Sequence, residues 1–353
     1  MRLNGENKKK SIVKYILLGG VLLAVGIFFL VSTLKEYDLK EVFRILESVE
    51  FLPMAIALLF ALFSLSASGG SFFVVLNSLG GNLSYPRCFK YACAFLLFGN
   101  VTPAAIGSQP LTAVLIAKDK AKVTESVVAM FLHILIFKAW LIVFGIAAMM
   151  FAPHVIFSNP VLLIMFSWGM IFNLFYIVFC AMAIWAYKLL RGIGCKIIDF
   201  LYKIKLIRQK EKWLYRFTHM MEQYRESAVY VRKHPTVTLK MAGFIGLQRI
   251  FAFSIAYFSA KALGANVDYV SLFMTQIILT LAVESLPFPG GIGIAESVSV
   301  GLYAAVFAET ALVVPTMVLN RGIGFYGMTL VCALVVLIGQ VLSVLKHKRT
   351  NRD

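Results

Sequence analysis

The sequence predicts an all-α polytopic membrane protein with six full transmembrane helices and two oppositely oriented, broken helical hairpins that form an inverted repeat. Hydrophobic residues make up 60% of the 353 positions and charged residues only 14%, a balance that water-soluble domains of this length do not normally show. Apolar runs long enough to cross a bilayer recur along the chain. Two further apolar stretches are interrupted by similar proline and glycine sequences.

Six uninterrupted apolar runs predict the full spans, since about 20 helical residues cross a hydrocarbon core of about 30 Å. These runs occupy residues 12–32, 51–79, 126–151, 159–187, 237–263 and 311–345. The first run is longer than the apolar core of a signal peptide and lacks a small-x-small cleavage site, so we expect it to be retained. We expect one integral membrane domain, with a first half of about 12–151 and a second half of about 159–345.

The basic residues predict the orientation of these spans, because cytoplasmic loops are enriched in Lys and Arg. Residues 188–234 carry twelve Lys or Arg against four Asp or Glu, and further bases flank the first broken stretch and both ends of the chain. All these basic segments lie in the cytoplasm if the broken stretches, 88–117 and 269–309, each return to the side they entered from. The net charge of +17 is then an orientation signal rather than a sign of nucleic-acid binding.

The first broken stretch predicts a re-entrant hairpin. Its halves, 88–100 and 104–117, are each about 20 Å long at a helical rise of 1.5 Å per residue, so neither can cross the bilayer. Irregular backbone at membrane depth is tolerated where protein or a wet cavity surrounds it. The second stretch has halves of roughly 18 residues, so both a re-entrant hairpin and two short crossings are compatible with the charge pattern.

The two interruptions resemble each other and predict an internal repeat. They read Pro103-Ala-Ala-Ile-Gly107 and Pro289-Gly-Gly-Ile-Gly293, with an offset of 186 residues. Proline removes a backbone donor and ends a helix, and glycine permits a tight turn. The half-helix that follows would expose unpaired N–H groups, which attract an anion such as a lipid phosphate. The alternative is that the prolines and glycines only kink packed helices.

Ionisable residues inside apolar runs are costly, which makes them candidates for function. Five of them could converge on one wet cavity: Lys138, Arg249, Glu284, Glu296 and Arg321. The cations would hold a phosphate, while the carboxylates would pair with them, carry a coupling proton or receive an amine. The alternatives are structural ion pairs and, for Arg321, a shallow position from which it reaches the interface. His133 is predicted to be a packed core residue.

The basic segment 188–234 predicts one or two cytoplasmic amphipathic helices. Apolar residues recur at helical spacing among the bases: Ile197, Leu201, Ile204, Trp213, Phe217, Met220 and Tyr224. Such a segment would lie either on an anionic leaflet or on the cytoplasmic face of the protein itself. Five cysteines without C-x-x-C spacing predict neither a disulfide framework nor a metal site.

Two segments resemble a known family. One runs from Asn100-Val-Thr-Pro103 to Gly107-Ser-Gln109-Pro110, and the other contains Pro289-Gly290-Gly291-Ile-Gly293 followed by Glu296. They are similar to the signatures of bacterial flippase-like proteins related to the transmembrane domain of lysylphosphatidylglycerol synthase, the multiple peptide resistance factor. Ser108 departs from the commoner glycine. The resemblance covers essentially the whole chain and places Asn100 and Gln109 among the substrate-binding residues.

The resemblance implies a lipid flippase in a bacterial cell membrane, and the distribution of basic residues predicts that both termini are cytoplasmic. No synthase domain follows the last span in this sequence, so the expected activity is movement of a polar-headed lipid, with a phosphate and with or without an aminoacyl group, by alternating access. We expect no enzymatic activity and no cofactor. A membrane-embedded enzyme acting on lipid headgroups and an accessory subunit of an envelope lipid synthase are the alternatives. Expected partners are membrane lipids and anionic headgroups, with a second copy of the chain or a lipid synthase left open.

Overall fold

The structure is a computed structural model that describes residues 39–119, 123–204 and 209–350, and all regular elements in these ranges are helical. The predicted first span, 12–32, lies outside the described residues. The helices are α1 (Leu39–Glu47), α2 (Phe51–Ser78), α3 (Tyr85–Val101), α4 (Ser108–Lys118), α5 (Val123–Phe151), α6 (Pro153–Phe157), α7 (Pro160–Trp185), α8 (Tyr187–Lys203), α9 (Lys210–Lys233), α10 (Pro235–Ala262), α11 (Tyr269–Glu284), α12 (Ile294–Ala304), α13 (Val313–Arg321) and α14 (Met328–Thr350).

In the described part of the chain, five helical segments are long and apolar enough to cross a membrane. They are Phe51–Ser78, Val123–Phe151, Pro160–Met182, Pro235–Ala262 and Thr310–Gly339. These segments correspond to the five predicted spans that fall within the described residues. The protein is therefore an all-helical membrane protein.

The last span is not the continuous α-helix that its sequence predicts. A short 3-10 turn, Thr310–Leu312, leads into α13, and a π-helical turn, Gly322–Gly327, separates α13 from α14. In the Gly-Ile-Gly-Phe-Tyr-Gly sequence of this turn, a Cβ placed on Gly327 would lie 2.8 Å from the backbone oxygen of Gly322, so glycine relieves a steric overlap there. Such π-helical turns occur frequently at functional sites.

Both broken stretches consist of two short helices. The first contains α3 and α4, with 17 and 11 residues, and the second contains α11 and α12, with 16 and 11 residues. The halves of the second stretch are therefore shorter than predicted. At 1.5 Å per residue the four helices are about 26, 17, 24 and 17 Å long, all below the thickness of a hydrocarbon core of about 30 Å.

The order of helices recurs along the chain. The long helices α2 and α10 have 28 residues each, and a broken pair and another long apolar segment follow both of them. The second members of the two broken pairs, α4 and α12, have the same length and begin 186 residues apart, the offset seen between the two interruptions.

The two ends of the first broken stretch lie close together. Lys90, near the start of α3, forms an ion pair with Asp119, which directly follows α4. The hydroxyl of Tyr91 donates a 3.0 Å hydrogen bond to the same carboxylate oxygen. Since residues at the beginning and the end of the stretch share one carboxylate, α3 and α4 form a closed hairpin.

Helix packing around the broken stretches relies on aromatic rings and small residues. The helices α2 and α10 run antiparallel, with the ring of Phe60 packed against Phe251 and Phe258. Between α7 and α11 the approach is closer, because a Cβ placed on Gly169 would lie 1.9 Å from the backbone oxygen of Leu281. Glycine is therefore required at that crossing.

At the start of α11, the backbone N–H of Ser271 donates a hydrogen bond that lowers the pKa of the Asp268 carboxyl.

The basic segment forms two helices with different surroundings. Helix α9 packs on the protein through buried Met221, Tyr224, Ala228 and Val231. Helix α8 instead presents an apolar stripe outward. The stripe consists of Leu189, Ile193, Ile197, Phe200 and Ile204, all between 47% and 60% exposed. The segment thus combines the two alternatives that the sequence leaves open, since one helix is packed and the other has an uncovered face.

We predict that Gly169→Ala destabilises the protein by about 1–3 kcal/mol or more, because the added methyl group would overlap the Leu281 carbonyl. The control is Gly243→Ala, at a helical position of α10 where an added Cβ has no neighbour within 4 Å. Thermal unfolding of both variants in the same detergent tests this. Equal melting temperatures for the two variants would contradict the close crossing.

Candidate functional site

The two interruptions meet each other in space. The backbone at Pro103 and the backbone at Pro289 are paired as an isolated antiparallel bridge. A Cβ placed on Gly290 would lie 3.0 Å from the backbone oxygen of Asn100, which shows how closely the two loops approach. Proline and glycine therefore do more than kink these helices, because they create two loops that pair with each other.

The two loops also share an unusual backbone conformation. The φ angles are +48° and +54° at Ala104 and Ala105, and +59° and +66° at Gly290 and Gly291. Positions 186 residues apart therefore have the same left-handed conformation. This conformation is readily available to glycine but costs an alanine roughly 1–2 kcal/mol.

A cavity of about 350 Å³ lies beside the paired loops. Residues from both broken stretches and from several long helices line it. Its polar lining comprises Ser64, Ser68, Asn100, Ser108, Gln109, Lys138, Gln248, Arg249, Gln276, Thr280, Glu284, Asn320 and Arg321, along with Tyr176. The glycines Gly290 and Gly291 also contact the cavity. Four of the five predicted ionisable residues thus converge on one space, and the fifth, Glu296, lies behind it.

Lys138 and Glu284 form a buried ion pair at the cavity wall. The Nζ atom of Lys138 lies 2.7 Å from Oε1 of Glu284. Three aromatic rings surround the ammonium group at 5.7–6.0 Å, namely those of Phe137, Phe172 and Tyr176. The second oxygen of Glu284, Oε2, has no hydrogen-bond partner among the described residues.

Arg321 and Glu296 form the second ion pair. Atoms Nη2 and Nε of Arg321 lie 2.7 and 2.9 Å from Oε1 of Glu296, and the hydroxyl of Tyr326 donates to the same oxygen. Glu296 is fully buried, and Arg321 lines the cavity. Arg321 therefore points inward rather than toward the membrane interface.

The exposed helix ends expected at the interruptions are mostly satisfied within the protein. The backbone N–H of Gly293 donates a 2.7 Å hydrogen bond to Oε2 of Glu296, so a carboxylate of the chain already occupies the N-terminus of α12. Before α4, the N–H groups of Gly107 and Ser108 donate to Thr102 Oγ1 and to the Ala105 carbonyl. The prediction that bare N–H groups attract the anion therefore does not hold at these positions.

Arg249 is a third cation at the cavity and takes part in neither of these ion pairs. Its side chain lines the cavity in the middle of α10, yet the residue is only 7% exposed. The guanidinium carbon lies 3.4 Å from the centroid of the Phe137 ring, so one face is covered by an aromatic ring. The Nε and Nη2 donors have no hydrogen-bond partner in the ranges that the structure describes. A buried guanidinium with free donors is a strong candidate for binding an anion.

An uncharged part of the wall was not predicted from the sequence. The hydroxyl of Tyr303 accepts hydrogen bonds from Gln276 at 2.6 Å and from Asn320 at 2.9 Å. Gln276 and Asn320 both line the cavity. The available signal was the presence of amide side chains within apolar helices, where a polar group needs a partner.

The other residues singled out in the sequence lie at the following places in the structure. The side-chain amide of Asn100 donates a 2.7 Å hydrogen bond to Thr329 and links α3 to α14, and Gln109 lines the cavity from α4. Pro110 is exposed in the first turn of α4. His133 is fully buried, stacks on Phe72 and contacts a serine hydroxyl, so it is a packed residue outside the cavity wall.

We predict opposite effects for alanine and glycine exchanges at the equivalent loop positions. Gly290→Ala should destabilise the protein by at least about 1–2 kcal/mol, because the positive φ disfavours alanine and the new Cβ would lie 2.3 Å from the Phe325 ring. Ala104→Gly should be neutral or stabilising by up to about 1 kcal/mol, since it relieves the same conformation. Thermal unfolding in detergent measures both variants, and a stability loss in Ala104→Gly equal to that in Gly290→Ala would contradict the shared conformation.

Comparison with known proteins identifies the family of the chain. The family described as "Lysylphosphatidylglycerol synthase TM region" matches residues 16–332. A membrane protein of the UPF0104 group from Pyrococcus horikoshii is 33% identical over 88 residues, which is 25% of this chain and 26% of the relative. The chain thus aligns with about a quarter of the length of that curated relative. Because the family match covers most of the sequence, the chain is a membrane protein of the lysylphosphatidylglycerol synthase transmembrane family.

Proposed function

We propose that the protein is a lipid translocase that moves a polar-headed, phosphate-containing lipid between the leaflets of a bacterial cell membrane by alternating access. The observation that carries this proposal is the buried Arg249, with free guanidinium donors, in a cavity between two broken helical hairpins. A phosphate placed in that cavity would supply the acceptors that Arg249 lacks. The volume of about 350 Å³ is within the range of small-ligand sites and suits a headgroup.

The proposed architecture is an inverted repeat in which α3–α4 enters from the cytoplasm and α11–α12 from the outside. The short helices and the Lys90–Asp119 ion pair support a re-entrant first hairpin. The antiparallel bridge supports the symmetry, because it pairs two residues, Pro103 and Pro289, that occupy the same place in the repeat. A local twofold axis passes through such a pair. Carriers with inverted repeats have their sites at the repeat interface, between discontinuous helices.

The family supports a lipid as the cargo. Its description refers to the transmembrane region of a synthase whose product is a phospholipid. Both carboxylates beside the interruptions, Glu284 and Glu296, are held by cations in the described structure. This arrangement supports binding and release of a headgroup rather than a reaction on it, since general acid–base or nucleophilic chemistry requires a group positioned to react.

The uncovered stripe of α8 supports contact with an anionic leaflet on the cytoplasmic side. Exposed Lys188, Arg191, Lys196 and Lys203 accompany the apolar residues on this helix. Cationic helices with one apolar face lie in the interface of membranes that contain anionic lipids. The helix begins two residues after the end of α7, which contains one of the five segments long and apolar enough to cross a membrane.

We predict that Arg249→Gln abolishes headgroup-dependent lipid movement and that Arg249→Lys retains part of it, because lysine keeps the charge but loses the planar pair of donors. The assay reconstitutes the protein into liposomes with fluorescent phospholipids and scores their protection from a reagent added outside. The matched control is Lys240→Gln, which removes an exposed cation from the same helix and should leave movement unchanged. Movement that survives Arg249→Gln would refute the site, and modification of the lipid instead of movement would indicate an enzyme.

We predict that both ends of each hairpin are accessible from one side of the membrane. In a background without native cysteines, Ser84→Cys and Lys118→Cys should react with an impermeant thiol reagent only from the cytoplasmic side. Asn266→Cys and Ala305→Cys should react only from the outside, as should His154→Cys between two full spans. These positions are exposed in the structure. Labelling of the two ends of one hairpin from opposite sides would contradict the re-entrant arrangement.

A further inference from the structure

We infer that the cavity selects headgroups by charge and takes a phosphodiester monoanion in preference to a phosphomonoester dianion or an uncharged sugar. This inference rests on the proposed function for its lipid ligand. The chemistry that it names is one anionic phosphate with two free oxygens and no second negative charge. Two features of the cavity support it, namely the number of its ionisable groups and the geometry of Arg249.

The cavity and the residues directly behind it contain three cations and two carboxylates, within the ranges that the structure describes. Lys138 is 2.7 Å from Glu284, and Arg321 is 2.7 Å from Glu296. Arg249 has no such partner at its Nε and Nη2 atoms. The net charge of these five groups is therefore +1, and Arg249 is the cation that forms no ion pair among the described residues.

The shape of the guanidinium environment restricts how an anion can bind. The Phe137 ring covers one face of the group at 3.4 Å, so an anion meets the edge rather than this face. The edge of a guanidinium presents parallel N–H donors that match two oxygens of one phosphate. A phosphodiester has two unesterified oxygens, so it can accept both bonds with its single negative charge.

A second negative charge has no matching cation. Lys138 and Arg321 are already neutralised, and a dianion would have to break one of these pairs and leave a carboxylate uncompensated. The pairs are largely buried, with side-chain exposures of 6% for Lys138, 20% for Glu284, 12% for Arg321 and 0% for Glu296. Breaking a buried pair is strongly unfavourable, since the remaining charge keeps its desolvation cost. An uncharged headgroup, conversely, leaves Arg249 without a counter-charge.

A change in the net charge of these groups should change which ligand the cavity prefers. Glu284→Gln raises the balance from one to two positive charges, because it leaves Lys138 without its carboxylate. The double variant Lys138→Met with Glu284→Gln removes both members of the pair and restores a balance of one. Arg249→Gln lowers the balance to zero and removes the free donors.

Binding of short-chain lipids to detergent-solubilised protein tests this inference. Ligand-induced thermal stabilisation gives relative affinities for dioctanoyl phosphatidylglycerol, dioctanoyl phosphatidic acid and a dioctanoyl glucosyl glycerol. Measurements are made at a pH of about 8, about two units above the second pKa of a phosphomonoester, which is about 6. Soluble glycerophosphoglycerol is a further ligand, which separates recognition of a lipid from recognition of its headgroup alone.

For the unaltered protein we expect phosphatidylglycerol to bind at least about tenfold more tightly than the other two lipids, a difference of about 1.4 kcal/mol. Glu284→Gln should reverse the order between phosphatidylglycerol and phosphatidic acid, and the double variant should restore it. If Glu284→Gln does not fold, the double variant and Arg249→Gln test the inference instead. The double variant must then keep the original order, and Arg249→Gln must lose it.

Equal affinities for the three lipids in the unaltered protein, or a charge order that Arg249→Gln leaves intact, would overturn the inference. Its failure is distinguishable from failure of the proposed function. Charge-selective binding without lipid movement in liposomes would refute the translocase and leave the inference standing. Movement of all three lipids without charge-selective binding would refute the inference and leave the translocase proposal standing.

Discussion

The structure depends on satisfying the irregular backbone at its two helix breaks. In hydrocarbon, every unpaired N–H or C=O group costs several kcal/mol, so a broken helix can exist there only if other groups satisfy its ends. The protein meets this requirement by bringing its two breaks together. Pro103 pairs with Pro289, and Glu296 caps the helix that follows the second break. At the first break, the hydroxyl oxygen of Thr102 accepts a hydrogen bond from the backbone N–H of Gly107. The cavity exists because these loops support each other.

The charges around the cavity follow from the same constraint. A carboxylate that caps a buried helix end needs a cation, and Arg321 provides it for Glu296. Glu284, at the last position before the second break, is matched by Lys138 in a similar way. These pairs stabilise the enclosure and carry no surplus. Arg249 differs because no carboxylate is needed there for the backbone, and its buried Nε and Nη2 atoms have no hydrogen-bond partner among the described residues.

The amount that the sequence could predict differs between the fold and the site. Length and hydropathy decide whether a segment spans a membrane, so five spans were located correctly within the described residues. Proline and glycine located both breaks, and Lys138, Arg249, Glu284 and Arg321 were predicted to converge because burying a charge requires a reason. Which cation remains free depends on side-chain geometry, and the pairing of Glu296 with both Arg321 and Gly293 is not visible in a linear pattern. The amide cluster around Tyr303 was missed because uncharged side chains leave only a weak signal.

The left-handed pairs in the two loops give the repeat an energetic asymmetry. Ala104 and Ala105 adopt a conformation that disfavours them, whereas Gly290 and Gly291 adopt it freely. Two alanines store on the order of 2–4 kcal/mol of backbone strain, which would be released whenever the first loop rearranges. The same movement in the second loop would return no such energy. The first interruption is therefore the more strained of the two paired loops.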